Sequence, residues 1–214
     1  MEFVQSGMFV GLGTGSTVEF FLQSLARAIH AGRLREIRGV PTSLQSERRS
    51  RELGIPLTTI TAEQVPDVTI DGADEIDPHL DLIKGLGGAL LREKIVAQNS
   101  RKLVIIADAG KRVDVLGSKA PVPVEVVPFC HEGQIPFLQA LGAKPALRRS
   151  ADGQVFVTDN GNYIYDCRFD QIKDPAGLES KLVHRAGVVQ CGLFIGMATV
   201  ALVADDAQVN QLRR

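Results

Sequence analysis

The chain has 214 residues, with 24 basic and 25 acidic side chains, a net charge of −1 and 44% apolar residues. That length suits one large domain, or a main domain with a smaller one attached, and leaves ample apolar side chain for a core. Near-neutral charge excludes a global field for nucleic acid or an anionic membrane surface, and no apolar run reaches membrane-spanning length.

Cys130, Cys167 and Cys191 are too few and too scattered for a disulfide framework or a zinc site, and the four histidines are equally dispersed. No basic stretch followed by an apolar one opens the chain. A cytoplasmic protein without nucleic-acid or membrane partners is expected. The arginines between Arg33 and Arg51 are interleaved with glutamates and lack aromatic neighbours, which reads as a solvated helix face.

Met8–Leu12 reads as a strand, followed by Gly13-Thr-Gly-Ser-Thr17. A helix comes next, in which Val18, Phe21, Leu22, Leu25 and Ile29 recur at three- and four-residue spacing, with Gly32 as its stop. Glu36–Val40 is a second strand and Ser43–Leu53 a helix. Val65–Asp71 and Lys102–Asp108 read as buried strands on either side of a helix that begins near Ala89. This alternation predicts an α/β fold with a mostly parallel, doubly wound sheet. From residue 121 the pattern changes to a proline-bounded strand (121–128), a helix (132–141), two strands (154–158 and 163–167) flanking Asp159-Asn-Gly-Asn162, a helix (175–184) and a strand (188–194). That order is the one of a ferredoxin-like unit, with Asn-Gly as a hairpin signal. Thr199–Val203 is expected to return to the first sheet.

Four stretches carry chemistry. Gly11–Thr17 sits between strand and helix, where backbone amides and the helix dipole favour an anion. Thr14, Ser16 and Thr17 add hydroxyls around Gly15, which suits phosphate. No lysine makes it a Walker A loop, and Ser16 breaks the dinucleotide fingerprint. The alternative is a glycine turn for close packing. Asp71 falls at the carboxyl edge of a buried strand, where open α/β sheets place ligands. With Asp74, Glu75 and Asp77 it forms a cluster that cannot all ionise at low cost, so an acid/base pair is one reading and Mg²⁺ another. Glu75 and Asp77 are read as turn and helix-start residues, and Asp71 and Asp74 as functional.

Lys84-Gly-Leu-Gly-Gly88 opens the next helix. Its glycines allow a ligand close to the backbone, and its lysine is a mobile cation. Glu93 would ordinarily be a solvated residue of a first helical turn. Beside a glycine loop and a lysine it is read instead as a general base. Lys111, in Asp108-Ala-Gly-Lys111, is either a turn residue or a partner for a phosphate or substrate oxygen, and His79 is a loop residue.

These motifs, in this order and spacing, together with Pro123-Val-Glu-Val-Val-Pro128 and Thr158-Asp-Asn-Gly-Asn162, resemble ribose-5-phosphate isomerase, type A, from about Phe3 to the C-terminus. The resemblance implies a Rossmann-like catalytic domain (1–120 plus 195–214) carrying a smaller ferredoxin-like domain (121–194). It also implies a homodimer or homotetramer that interconverts D-ribose 5-phosphate and D-ribulose 5-phosphate in the pentose phosphate pathway without cofactor or metal. By position Glu93 matches the family's catalytic base. Thr14–Thr17, Asp71–Asp74 (Gly72 and Ala73 included), Lys84–Gly87 (Gly85 and Leu86 included) and Lys111 match its substrate-binding segments. Asp71 would open the sugar ring and relay the hydroxyl proton, Asp74 would shape the site, and Lys84 would stabilise the oxyanion. Members usually carry a lysine-bearing helix before the first strand, whereas seven residues precede Met8 here. A sugar-phosphate-sensing domain, an amino-sugar phosphate deaminase and an acyl-CoA transferase are rival readings of the same architecture. The set Asp71, Lys84, Glu93 argues against each.

Overall fold

A computed structural model describes residues 1–214. In chain order the first half comprises β1 (Phe9–Leu12), α1 (Ser16–His30), β2 (Arg38–Pro41), α2 (Leu44–Glu52), β3 (Val68–Asp71), β4 (Glu75–Ile76), β5 (Leu82–Ile83), α3 (Leu90–Asn99) and β6 (Leu103–Asp108). The second half comprises β7 (Val122–Val126), α4 (Ile135–Ala140), β8 (Lys144–Leu147), β9 (Tyr163–Arg168), α5 (Pro175–Val183), β10 (Val188–Cys191), β11 (Leu193–Phe194), β12 (Ala198–Ala204) and β13 (Val209–Arg213). The chain forms two compact units. One takes Met1–Gly72, Arg92–Ala109 and Met197–Arg214, and the other takes Ala73–Leu91 and Gly110–Gly196. The segment 121–194 therefore lies within the second unit, which also includes Ala73–Leu91.

The first unit is built on a six-stranded sheet of order β13-β12-β6-β3-β1-β2, parallel except for β13. β1 and β3 are short and buried along their whole length and β6 along most of its own, as a parallel sheet covered on both faces requires. Val18, Phe21, Leu22 and Leu25 of α1 pack with Val10, Leu12, Ile70 and Val104 in one core. Gly32, at φ 68°, ends the helix by returning its amide to the Ile29 carbonyl at 2.9 Å. As expected, the segment after residue 197 returns to this sheet, where β12 pairs parallel with β6. From β1 the chain goes to β2 on one side, whereas β3 has β6 as its next neighbour on the other. The direction of winding therefore reverses between β1 and β3, which opens a crevice at their carboxyl ends.

The second unit contains an antiparallel sheet of order β10-β7-β9-β8, with α4 and α5 contributing to a core around Val122, Val124, Val126, Leu138 and Leu182. The elements run β-α-β-β-α-β, the ferredoxin-like order. Two sequence expectations are corrected here. Residues 154–158 are not the hairpin partner of 163–167. β9 pairs instead with β7 and β8, while Phe156 and Ser150 make backbone hydrogen bonds that tie 154–156 to 148–150. The Asn-Gly turn is closed on Thr158, whose amide donates to the Asn162 carbonyl and whose carbonyl accepts the Gly161 amide, while its hydroxyl donates to the buried Glu125 (2.9 Å). The strand expected over 188–194 is divided at Gly192. There β10 leaves β7, and β11 joins a separate three-stranded sheet of order β11-β5-β4.

Candidate active site

In the first unit the ladder of β1 continues for one residue past the strand, with the Gly13 amide donating to the Ile70 carbonyl at 3.0 Å. A Cβ at Gly13 would lie 2.6 Å from the Asp71 Cα, so only glycine lets the two chains approach this closely. The next amide, that of Thr14, donates to Asp71 Oδ1 at 3.1 Å, and the Gly72 amide donates to the same oxygen at 2.7 Å. Asp71 is fully buried at the reversal point of the sheet.

The Thr14 hydroxyl lies 2.8 Å from the hydroxyls of both Thr42 and Ser43. It acts as a strut joining the two loops rather than as a donor held in reserve, and Thr42 and Ser43 are partners that the glycine motif did not reveal. Gly15, at φ 115°, sits at the start of α1 without a side-chain cap. The first amides of α1 are left to other acceptors, and Gly15 and Ser16 are exposed while Thr17 is half-buried. Beside this loop lies a cleft of about 200 Å³, lined in part by Gly13, Thr14, Gly15, Ser46, Arg48 and Arg49. Arg49 is engaged by Glu19 of α1 (2.7 Å) and by Glu52 of its own helix (3.0 Å), and the expected arginine face is confined to α2, because Arg33 and Arg35 lie between elements and Arg38 begins β2. Its hydrogen bond to Glu19 holds the Glu19 carboxyl below its ordinary pKa, with Gln23 adding to the effect.

Glu93 lies in the first turn of α3 and is 3% exposed; its neighbour Lys94 is 1% exposed. Both are inside the protein, where a first-turn glutamate would ordinarily be solvated.

In the second unit Asp74 is half-buried, and its Oδ2 accepts the Leu86 amide at 3.0 Å. Lys84 is 2% exposed; its amide donates to the Gly192 carbonyl at 2.8 Å, and its Nζ stands 5.4 Å from the Phe194 ring centroid. Residues 85–88 close a turn in which the Gly88 amide donates to the Gly85 carbonyl at 2.9 Å. Both glycines have positive φ (99° and 86°), and Leu86 and Gly87 are exposed at the tip. Lys111 is half-buried at the end of a short 3₁₀ turn, and His79 is exposed in a loop.

Glu75 and Asp77 are structural, although Glu75 begins a strand rather than a helix. Fully buried, Glu75 accepts the amides of Gly117, Lys119 and Ala120 at 2.5–2.6 Å. Asp77 accepts those of His79 and Asp81 at 2.8 Å each. The structure thus joins Thr14 to Asp71 in one unit, and Asp74 to Leu86 in the other. No group of three or more His, Cys, Asp or Glu side chains converges as a metal-binding set, and no helix is long and apolar enough to cross a membrane.

A carboxylate at the reversal point of a parallel sheet, an uncapped helix start behind a glycine loop, and a buried first-turn glutamate define an α/β enzyme of acid–base type. The sequence profile of Ribose 5-phosphate isomerase A (phosphoriboisomerase A) matches residues 38–208. A ribose-5-phosphate isomerase A from Roseiflexus castenholzii is 52% identical over 212 residues, covering 99% of this chain and 91% of the relative. The solved ribose 5-phosphate isomerase of Plasmodium falciparum superposes with a TM-score of 0.97 at 42% identity, covering 100% of this chain and 93% of that one. A solved D-ribose-5-phosphate isomerase in complex with phospho-erythronic acid also reaches a TM-score of 0.97, at 38% identity and the same coverage. The chain belongs to the ribose 5-phosphate isomerase A family.

Proposed function

We infer that this chain interconverts D-ribose 5-phosphate and D-ribulose 5-phosphate through an enediolate, with Glu93 as the base that carries the proton between the two carbons. The observation behind that role is the burial of Glu93 in the first turn of α3. A carboxylate shielded from bulk water at a helix start can be held against a bound substrate for proton abstraction beside a carbonyl. The amides of Gly15–Thr17 and the hydroxyls of Ser16 and Thr17 hold the phosphate at the start of α1, and Thr14 braces the loop against Asp71, Thr42 and Ser43. Asp71 opens the furanose ring and moves the proton between the C1 and C2 oxygens as the carbonyl changes place. Lys84 stabilises the negative charge of the enediolate. Asp74 shapes the site, while Gly72, Ala73, Gly85, Leu86, Gly87 and Lys111 contact substrate. Neither cofactor nor metal takes part. The protein works in the cytoplasm as a homodimer or homotetramer within the pentose phosphate pathway.

The test is conversion of ribose 5-phosphate in EDTA by wild type and by Glu93→Gln. Loss of a general base costs about 10²–10⁴-fold in kcat, and the variant should fall by that much while its unfolding midpoint stays near wild type. Phospho-erythronic acid should compete with substrate. A fully active Glu93→Gln protein would remove Glu93 from the role. A folded wild type without activity would refute the isomerase reading itself.

A further inference from the structure

Arg148 follows directly after β8, with its backbone pinned on both sides: its amide donates to the Ile164 carbonyl (2.8 Å) and its carbonyl accepts the Phe156 amide (3.0 Å). Its side chain is 10% exposed. The guanidinium gives Nε to Asp166 Oδ2 at 2.9 Å and Nη2 to Asp166 Oδ1, a two-pronged pairing that fixes its plane. Nη1 remains, and it donates to two carbonyls 63 and 62 residues earlier in the chain, Gly85 at 3.1 Å and Leu86 at 3.0 Å. The ring of Phe156, 5.7 Å from the guanidinium carbon, occupies the space that a Cβ on Gly88 would need.

These contacts set the orientation of two successive peptide planes. A trans peptide holds its N–H opposite its C=O. With the Gly85 carbonyl turned to Arg148, the Leu86 amide points the other way and meets Asp74 Oδ2. With the Leu86 carbonyl also turned to Arg148, the Gly87 amide is aimed away from the guanidinium, at the exposed tip of the turn.

We propose that Arg148, oriented by Asp166, is a positioning residue for the isomerase. It locks the Lys84–Gly88 turn so that the Gly87 amide and the Lys84 side chain are set for the anionic transition state. This rests on the reading of Lys84–Gly87 as a substrate-contacting segment. A lysine at 148 does not substitute, because one ammonium cannot keep a planar two-pronged pairing and reach two carbonyls together.

Arg148→Met, Arg148→Lys and Asp166→Asn are compared with wild type by amide hydrogen exchange and by steady-state isomerisation in EDTA. In folded Arg148→Met, exchange at Leu86 and Gly88 should quicken at least tenfold while Ile164 and Tyr165 keep their protection. The value of kcat should fall on the order of 10²-fold, the scale of a small misplacement of reacting groups, with KM moving less. Arg148→Lys should not restore it. Asp166→Asn, which keeps the guanidinium and loosens its plane, should show the same pattern at about tenfold, and it serves if Arg148→Met does not fold. A folded Arg148→Met with unchanged exchange at Leu86 and Gly88 would overturn the proposal, as would kcat within twofold of wild type per folded molecule. An inactive wild type would refute the isomerase reading, and the exchange experiment would still decide whether Arg148 holds the turn.

Discussion

In the first unit, the groups at the sheet edge are set by where strands end. β1 stops at Leu12 and β3 at Asp71, and the register between them delivers the Thr14 amide to the aspartate. In the second unit, the Lys84–Gly88 turn has no long strand to define it. It hangs on Asp74, on Arg148 with Asp166, and on the Gly192 carbonyl, partners spread over more than a hundred residues of sequence. A parallel sheet places its edge groups cheaply, through backbone bonds it makes anyway. A short turn between β5 and α3 must be held by partly buried charged side chains, each of which becomes costly when its partner is lost.

The sharpest test of that contrast is Glu75→Ala. Three amides of the 117–120 loop would lose their common acceptor, two of them buried. With buried donors at about 1–3 kcal/mol each and some relaxation, a loss of about 3–5 kcal/mol is expected, read from urea unfolding. A variant within about 1 kcal/mol of wild type would mean that the second unit does not depend on such clamps. Gly13→Ala probes the first unit, since its methyl would collide with the Asp71 backbone and carboxyl. Overpacking of this kind costs about 1–3 kcal/mol, and displacement of Asp71 should lower kcat/KM as well. Unchanged kinetics would argue that the close approach of β1 and β3 is not what places Asp71.

The smallest effect belongs to Glu19. Its folded pKa is depressed, first by the Arg49 hydrogen bond and then by Gln23. Its contribution is therefore present in full above the ordinary glutamate range, and is lost as pH falls through the lower folded value. The pair is partly solvated, so at most a few tenths of a kcal/mol is involved. Glu19→Gln should be slightly less stable than wild type at pH 7, and the gap should close at acid pH. A gap that widened on acidification would contradict this assignment.

The features legible in the sequence are those governed by local pattern. The glycine loop between β1 and α1, the aspartate ending β3 and the return of β12 follow from periodicity and turn residues, whereas the β-α-β-β-α-β order emerges from the pattern with its second strand misplaced at 154–158 instead of β8. The missed features are those that tertiary partners decide. β8, Lys-Pro-Ala-Leu, has weak strand propensity, and its proline is tolerated because it pairs on one side only, at the sheet edge. Residues 154–158 alternate like a strand, yet Phe156 is committed to Gly88 and Thr158 to Glu125. Glu75 resembled a turn residue because its three amide partners lie more than forty residues away. Arg148 carried no signal at all, since nothing local distinguishes it from the neighbouring Arg149, which is exposed.

Gly192 carries a consequence for how this chain can change in length. Its amide donates to Pro123 and its carbonyl accepts from Lys84, and a side chain there would strike both segments. Inserting or deleting one residue at Gly192 would shift the side chains of β11 to the opposite face relative to β10 and detach the lysine turn from its anchor. The exposed turn at 150–153 bears no such double duty. A peptide tag or a reporter insertion should be tolerated there and rejected at 192, so natural variation in loop size has room in one place and almost none in the other.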